Sequence, residues 1–464
     1  MNLDQSSMRH DMVRAEGPTS PLDQLLALPL VERVDIPPRP AQFTSAPTQF
    51  SQGALGTWLK CSLGALDRLY LHQGLAFAAI EQDLNVVVST ATASGKSLVF
   101  MGAALRKILG GKSRVLVFYT QKALGSDQLG RWQRELQNAG LPAEWIGEIN
   151  GDVPISEREA VLIGSRIVLA TPDVIHAWLM PGLSSPGVQR FIQQLDLLIL
   201  DEAHALEAVF GSHTTLFLRR LRLARRLSIG VPPGPASDFQ VVAATATLSD
   251  PMAHLHALTG LQFVLVGEND NGAPRHGLTV LHLEGPDIGA TAEKLCADVV
   301  ERITDSLNPG AAMIAFADSR QGVERVIRRV GKKNVLPYRS GYTRADRRAI
   351  EAMLHKQQLL GVIATSALEL GIDLPQFTHG VTMGVPPSRK SLRQRIGRIG
   401  RVQAGVFAVI APRTAFAQLG TSLAEYVSGP VEDSPLYSDN PFIQYQHARC
   451  MVEEGSFEGW ATVG

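Results

Sequence analysis

The sequence is poor in cysteine and aromatic residues and carries no net charge. Its 464 residues include three cysteines and 6% aromatic side chains, with 44 basic against 44 acidic residues. Cys61, Cys296 and Cys450 lie too far apart for metal-ligand spacing, so we expect reduced thiols in a cytoplasmic protein. No apolar stretch is long enough to span a membrane, and the N-terminus lacks a signal-peptide core. A disulfide framework and a membrane partner are therefore not expected.

Short apolar runs alternate with helical patterns along most of the chain. This alternation predicts an α/β fold with parallel sheets, and the length suffices for two or three domains. Residues 1–55, rich in Pro, Ser, Gln and Thr, are predicted to be a partly extended leader docked on the first domain. We expect a first domain at 56–280, a second at 281–430 and an acidic tail at 431–464.

The segment Thr90–Ser97 joins the apolar run Asn85–Val88 to a helical pattern. A strand, a tight loop of small residues and a helix are the context of a phosphate-binding loop. Lys96 is expected to meet phosphate oxygens, and Ser97 to hold Mg²⁺. Thr90 replaces the first glycine of the strict motif, so an ordinary strand-to-helix turn is the alternative. The remaining residues predicted to line the nucleotide are Thr92, Ala93, Ser94 and Gly95.

Gln73 lies on a predicted helix shortly before this loop. Its amide both donates and accepts hydrogen bonds, and could therefore read the edge of adenine. The alternative is a glutamine that faces solvent.

An acidic pair, Asp201 and Glu202, follows the apolar run Leu197–Leu200. Carboxylates at the tip of a buried strand are costly unless they have a cation or a chemical role. Asp201 is predicted to bind Mg²⁺ through water, and Glu202 to orient or deprotonate the attacking water. The hydroxyls of Thr245-Ala246-Thr247, at the tip of a later strand, could relay between this site and a neighbouring lobe.

Three arginines recur at a spacing of three in the stretch Gln394–Arg401. Arg395, Arg398 and Arg401 are expected along one helix face or one turn-rich edge. Guanidinium groups suit triphosphate oxygens, so Arg398 or Arg401 could act as an arginine finger if two lobes close. A basic patch that only binds nucleic acid is the alternative.

Other polar residues follow predicted strands at the sheet edge where parallel sheets bind ligands. They are candidates for contacts with a nucleic-acid backbone, or else ordinary helix-entry residues. The basic helix around Arg219–Arg226 is interpreted as a solvated face. The nucleic-acid candidates are Lys122, Thr171, Ser319, Arg320 and Thr365.

In this order, the phosphate loop, Asp201-Glu202-Ala203-His204, Thr245-Ala246-Thr247 and Gln394–Arg401 resemble a superfamily 2 helicase. That resemblance implies two tandem RecA-like domains, each a mostly parallel sheet flanked by helices. Thr92–Ser97, Val209–His213 and Ala367–Asp373 narrow it to the mitomycin-repair-factor-A type of bacterial DNA helicase, related to fungal helicases akin to the fourth human RecQ protein. It implies ATP- and Mg²⁺-dependent 3′-to-5′ movement on single-stranded DNA, duplex unwinding, and a role in DNA repair or in genome (antiviral) defence. It also places Asp373 with the nucleotide-binding residues.

The sequence departs from that family near its C-terminal end. Family members continue into a module with four zinc-binding cysteines, whereas this sequence stops soon after Asn440–Ile443. We therefore expect no structural zinc, and a fragment, a split gene or a shortened member with the missing part on another chain. An RNA helicase, a duplex-DNA translocase that does not unwind, and a non-catalytic nucleic-acid-binding subunit remain alternatives. Charge separation further suggests that the acidic tail docks on the basic second lobe as an autoinhibitor.

Overall fold

The computed structural model describes residues 25, 28–64, 68–232, 234, 237–246, 248–286, 290–339, 341–365, 377–401 and 403–455. Within these ranges, two seven-stranded sheets flanked by helices form two lobes. The strands are β1 (Leu30–Ile36), β2 (Phe43–Thr44), β3 (Leu69–Tyr70), β4 (Val86–Ser89), β5 (Arg114–Phe118), β6 (Ile146–Ile149), β7 (Ile167–Ala170), β8 (Leu195–Leu200), β9 (Gln240–Thr245), β10 (Val264–Val266), β11 (Leu278–Glu284), β12 (Met313–Phe316), β13 (Val335–Tyr338), β14 (Gly361–Ala364), β15 (His379–Met383) and β16 (Gly405–Ala411).

Helices cover both faces of each sheet. None of the described helices is long and apolar enough to cross a lipid bilayer. The helices are α1 (Thr48–Ser51), α2 (Gly53–Leu63), α3 (Leu71–Glu81), α4 (Lys96–Leu109), α5 (Lys122–Asn138), α6 (Ile155–Gly164), α7 (Pro172–Val174), α8 (Pro186–Gln193), α9 (Ala208–Ile229), α10 (Pro251–Thr259), α11 (Ala290–Ser306), α12 (Arg320–Arg329), α13 (Arg344–His355), α14 (Arg389–Ile396), α15 (Ala415–Gln418), α16 (Leu423–Ser428) and α17 (Pro441–Glu453).

The first sheet is parallel throughout, in the order β10-β4-β9-β8-β5-β7-β6. Its central strands are buried along almost their whole length, because helices pack on both faces. The two faces carry separate apolar cores, one around Trp58 and Trp132, the other around Phe191 and Phe217. The predicted α/β class with mostly parallel sheets is confirmed.

The second sheet has the order β1-β11-β16-β15-β12-β14-β13 and is parallel except at one edge. There β1 pairs antiparallel with β11, with Val34 opposite Val280. Val34 and Ile36 pack against the second lobe's core, and the pairing covers what would otherwise be an open sheet edge. The prediction that the leader docks on the first domain is therefore wrong for Leu30–Ile36. Since β11 lies wholly in this sheet, we propose the lobe division at residue 277.

A two-stranded connection links the lobes, and we call it the hinge ribbon: residues 36–44 beside residues 268–278. Arg39 and Arg275 exchange two backbone hydrogen bonds, of 2.8 and 2.9 Å. Gln42 donates its N–H to the carbonyl of Gly272 at 2.9 Å. The Arg39 guanidinium also pairs with Glu268 at 2.9 Å. Backbone pairing thus holds the two chain segments of the connection together.

A second connection returns from the second lobe to the first, and we call residues 431–455 the strap. Its Pro435 carbonyl accepts the N–H of Ala208 at 2.7 Å, and its Tyr437 N–H donates to the Ser212 hydroxyl at 2.6 Å. The helix α17 then packs along α9. The tail was predicted to dock on the basic second lobe, but most contacts of its described residues lie on the first.

The basic helix α9 is not the solvated face that its charge run suggested. Arg220 is 1% exposed and forms a buried ion pair with Glu454 of the strap. Arg225 is also buried and pairs with Asp196 at 2.6 Å. Arginine can be buried at these positions because acidic partners from other segments neutralise its charge. Such partners leave no pattern in the local sequence, so the burial could not be predicted from it.

Candidate nucleotide site and nucleic-acid face

The phosphate loop runs from the end of β4 to the start of α4. Ala93 and Gly95 adopt left-handed backbone angles, with φ of 61° and 89°. The Thr90 hydroxyl, at the position of the missing glycine, lies 2.7 Å from the Ser94 hydroxyl and closes the loop on itself. The Lys96 ammonium donates to the carbonyls of Thr90 and Ala91 at 2.8 and 2.9 Å. The loop thus has the tight turn and the helix N-terminus that a phosphate site requires.

Gln73 braces this loop from behind. Its side chain is 3% exposed, accepts the Tyr70 N–H at 3.0 Å and donates to the Gly95 carbonyl at 3.2 Å. A Cβ at position 95 would lie 2.6 Å from the Gln73 amide nitrogen, so the close approach also requires glycine there. The solvent-facing alternative for Gln73 is wrong. Reading of adenine by Gln73 stays a prediction.

The acidic pair and the phosphate-loop lysine share one half-buried site, where their charges act on one another. Burial and then the neighbouring charge of Glu202 raise the pKa of Asp201 to about 7, while the Lys96 charge opposes that rise. Burial lowers the pKa of Lys96, against the pull of the Glu202 and Asp201 carboxylates. Glu202 itself has a left-handed backbone, with φ 49°, which lets its N–H reach Oδ1 of Asp201 at 2.9 Å.

These residues fit a magnesium ion. Ser97 lies in the first turn of α4 and, with Asp201, offers the oxygen donors that this hard cation prefers. Oε2 of Glu202 is buried and makes no hydrogen bond within the described residues. A cation would oppose the burial and the neighbouring Glu202 charge that together raise the pKa of Asp201. In the described part of the chain, no group of three or more His, Cys, Asp and Glu side chains is arranged to hold a metal by itself.

His204 links the acidic pair to the second lobe, and its role was missed in the sequence. Its Nε2 accepts a hydrogen bond from the Gln394 amide nitrogen at 2.9 Å, which leaves the ring proton on Nδ1. Nδ1 lies 3.4 Å from both the Thr245 hydroxyl and Oε2 of Glu202. Burial lowers the pKa of His204 to about 4, so the ring is neutral at pH 7. The signal available in the sequence was the position of His204 as the last residue of the Asp-Glu-Ala-His motif.

The three predicted arginines divide between two roles. Because α14 ends at Ile396, Arg395 lies on the helix, whereas Arg398 and Arg401 lie in the following turn. The three therefore share neither a single helix face nor a single turn-rich edge. Arg395 is 2% exposed, donates to the Thr382 hydroxyl at 2.6 Å and stacks on Phe316. Arg395 is therefore held inside the second lobe.

The turn after α14 faces the phosphate loop of the other lobe. The Thr92 hydroxyl donates to the Gly397 carbonyl at 3.0 Å, so the two lobes touch at this point. Arg401 donates to the same carbonyl at 2.9 Å, and its charge lowers the pKa of Lys96 after the larger effect of burial. Arg398 lies in the same turn and is 6% exposed.

The nucleic-acid candidates all follow strands that lie side by side in their sheets. Lys122 begins α5 after β5 and pairs with Asp152 at the surface, and Thr171 follows β7 and is buried. In the second lobe, Ser319 caps α12 by accepting the Gly322 N–H at 2.9 Å. Arg320, exposed, opens α12, and Thr365, buried, follows β14.

Arg339 is a neighbour of Arg320 that was not selected from the sequence. A Cβ built on Gly341 would lie 3.5 Å from Nη1 of Arg339 and 3.6 Å from Nη1 of Arg320. The two guanidinium groups therefore flank one glycine. The available signal was the run of arginines that Arg339 opens in the sequence, with Arg344, Arg347 and Arg348 following. Asp373, Thr247 and the segment 366–376 lie outside the described residues.

Two family models match the chain over the two lobes. The DEAD/DEAH box helicase model matches residues 70–255, and the helicase conserved C-terminal domain model matches residues 295–403. Each of the matched ranges contains one half of the cleft described above.

Known proteins resemble the chain over most of its length. It is 29% identical to the uncharacterized ATP-dependent helicase YprA of Bacillus subtilis, over 91% of this chain and 56% of YprA. It is 30% identical to the ATP-dependent helicase HRQ1 of Saccharomyces cerevisiae, over 72% of this chain and 32% of HRQ1.

Among solved structures, the DUF1998 helicase MrfA bound to DNA and AMPPNP superposes with a TM-score of 0.83 and 27% identity, covering 94% of this chain and 61% of that one. MrfA bound to DNA gives a TM-score of 0.81, also at 27% identity, covering 94% and 58%. The chain thus spans about half the length of YprA and of MrfA and about a third of the length of HRQ1. With the two family models, these likenesses show that the chain belongs to the superfamily 2 helicases, in the branch that includes MrfA.

Proposed function

We propose that this chain is an ATP-driven motor that moves 3′ to 5′ on single-stranded DNA and unwinds duplexes in DNA repair. The observation that carries the proposal is the cleft where the phosphate loop touches the turn after α14, with Thr92 and Arg401 both donating to the Gly397 carbonyl. It is supported by relatives named ATP-dependent helicases and by the likeness to MrfA bound to DNA and AMPPNP.

In the proposed reaction, Lys96 leaves the loop carbonyls it now contacts and binds the β- and γ-phosphate oxygens. Glu202, which lies beside the neutral His204, positions the attacking water. Ser97 and Asp201 would hold Mg²⁺, which when bound supplies charge neutralisation at the phosphates. Arg401 and Arg398 stabilise the charge that develops on the γ-phosphate from the other lobe. Loss of that phosphate weakens the lobe contact at Thr92 and Gly397.

The strand is proposed to cross the carboxyl ends of β5 and β7 in the first lobe and of β12 and β14 in the second. Phosphate contacts there would come from Lys122, Thr171, Ser319, Arg320 and Thr365. Alternating affinity of the two lobes for the strand converts closure and opening of the cleft into steps. Arg339, beside Arg320, would add charge to the second lobe's share of this face.

The decisive experiment measures steady-state ATP hydrolysis with and without single-stranded DNA. The Lys96→Ala variant should lose the stimulated activity. Lys107→Ala should keep it, because Lys107 lies on the same helix but pairs with Asp83 at the surface. Absence of hydrolysis with either DNA or RNA strands would refute the motor.

The finer parts of the proposal need separate substrates. Matched DNA and RNA strands, compared as activators, distinguish a DNA motor from an RNA helicase. Partial duplexes with 3′ or 5′ overhangs report polarity and unwinding, and 3′-to-5′ movement requires displacement only from the 3′ overhang. Displacement of a triplex strand without unwinding would instead indicate a duplex-DNA translocase.

A further inference from the structure

Lys390 of the second lobe reaches into the first lobe beside the catalytic acidic pair. Its ammonium donates to the His204 carbonyl at 3.0 Å, to a Glu207 carboxylate oxygen at 2.7 Å and to the Ser434 hydroxyl at 3.3 Å. All three donor positions of the ammonium are therefore used, two on the loop after Glu202 and one on the strap. The Lys390 side chain is 14% exposed, so these contacts are largely screened from water.

The charges around this contact are matched. Burial pushes the pKa of Glu207 upward, but hydrogen bonds from Lys390 and Ser434 outweigh it and hold that pKa below its ordinary value. The backbone N–H groups of Arg389 and Lys390, at the start of α14, also donate to Glu432 at 2.7 and 3.2 Å. Residues of the strap thus hold both the helix that carries Lys390 and its ammonium group.

The same helix contacts His204 twice. Lys390 binds the backbone carbonyl of His204, and Gln394, one turn later, binds its ring. Residues four apart lie on one face of a helix, so both contacts come from one surface of α14. The ring in turn faces Oε2 of Glu202 at 3.4 Å. A side chain of the other lobe thus contacts the residue that lies beside Glu202.

We propose that Lys390 is a positioning residue for ATP hydrolysis, which fixes the loop after Asp201 and Glu202 when the two lobes are closed. The inference rests on the proposed ATPase activity. Lys390 lies outside the sequence motifs from which that activity was predicted. The strap takes part through Ser434 and Glu432. We call these contacts around Lys390 the latch, which joins α14, the loop after Glu202 and the strap. Since Lys390 touches neither the phosphate loop nor Asp201, it acts on the turnover step and not on nucleotide binding.

The test combines steady-state kinetics with hydrogen exchange on four variants. They are Lys390→Met, Lys390→Glu, Glu207→Lys and the double variant Lys390→Glu/Glu207→Lys. The control is Lys356→Met, an exposed lysine at the end of α13 in the same lobe. Urea unfolding of each variant establishes that the fold is intact, and Lys390→Arg provides a second, charge-preserving variant.

For Lys390→Met we expect about a tenfold lower DNA-stimulated kcat with an unchanged KM for ATP, within the range usual for coupling between sites. Amide exchange at Ala203–Ala208 should become faster. The double variant should recover most of the kcat lost by each single reversal, because it restores the ion pair. The control variant should behave as the wild type.

A wild-type kcat in Lys390→Met, or a raised KM with unchanged kcat, would overturn the proposal. So would a double variant no better than either single one. If the wild type itself hydrolyses no ATP, the proposed motor fails and hydrogen exchange alone decides the latch. Faster exchange in Lys390→Met, reversed in the double variant, would then support it, and unchanged exchange would refute it.

Discussion

The two connections between the lobes hold the two phosphate-facing loops of the first lobe in different ways. At the hinge ribbon, Glu268 accepts the Ala91 N–H of the phosphate loop at 2.8 Å and pairs with Arg39 near the surface. At the strap, the loop after Glu202 is held by Pro435 and by Ser434 through Lys390, and anchored by the buried pair of Arg220 and Glu454.

This difference predicts that the two connections affect different properties of the molecule. The hinge ribbon relies on backbone pairing and one exposed ion pair, which permits bending at modest energetic cost. The strap relies on buried charge, which resists partial opening because an unpaired buried ion is expensive. We therefore expect variants in the strap to change the free energy of unfolding, and variants in the hinge ribbon to change mainly the affinity for ATP.

The largest expected effect is loss of the buried pair in the strap. Arg220→Met leaves the Glu454 carboxylate buried without its cation, which should lower the free energy of unfolding by ~3–5 kcal/mol. Urea unfolding at pH 7 measures it, with the neighbouring exposed Glu453→Gln as control. The double variant Arg220→Met/Glu454→Gln should be less destabilised than Arg220→Met. Equal stability of Arg220→Met and the control would show that the strap does not depend on this pair.

The next effect concerns Asp201, a member of the acidic pair. Because the pKa of Asp201 is raised to about 7, its protonated form stabilises the fold at low pH, and that contribution is lost as pH rises through 7. Without Mg²⁺ and nucleotide, Asp201→Asn should exceed the wild type by ~2–4 kcal/mol at pH 8 and by little at pH 4.

Unfolding curves at the two pH values test this, and the exposed Asp298→Asn is the control. A stability difference that does not change with pH would contradict it. The same Asp201→Asn variant should be inactive in ATP hydrolysis. The carboxylate that hydrolysis requires therefore lowers the free energy of unfolding.

A smaller effect is expected from two histidines where the strap packs on the first lobe, His447 of the strap and His176 of the first lobe. Burial first, and then the Arg220 charge, lower the pKa of His447 to about 3 and of His176 to about 4. Their neutral forms stabilise the fold above pH 6.5, and this contribution is lost as pH falls towards those values. Between pH 7 and 5, the wild type should lose ~1–2 kcal/mol more than His447→Gln. The exposed His256→Gln should follow the wild type, and a parallel loss in His447→Gln would contradict the prediction.

The smallest effect on stability belongs to the hinge ribbon. Arg39→Met removes an exposed ion pair worth ~0–1 kcal/mol, so the unfolding midpoint should hardly move. The KM for ATP should rise about twofold to fivefold, because Glu268 then holds the phosphate loop less firmly. Arg33→Met, which breaks a similar exposed pair with Asp35 away from the loop, is the matched control. If both variants raise KM equally, the hinge ribbon has no special link to the nucleotide.

The features that could be predicted from the sequence are those that depend on residues close together along the chain. The phosphate loop and the acidic pair were predictable because each follows a buried strand within a few residues. The strap and the edge strand Leu30–Ile36 were not, because their partners are distant: Arg220 and Glu454 are 234 positions apart. The charge run of α9 gave no sign that Arg220 and Arg225 would be buried, since burial was set by those distant partners.

The interlocking of the two lobes has a consequence for synthesis on the ribosome. Leu30–Ile36 emerges early but pairs with β11, which is made about 250 residues later. The first lobe is translated long before the strap, and its buried Arg220 receives Glu454 only when nearly all of residues 1–455 have been made. During that interval Arg220 has no acidic partner and Leu30–Ile36 has no paired strand, so both are open to other chains. This condition favours chaperone binding. Neither lobe is therefore expected to reach its final structure when produced without the other.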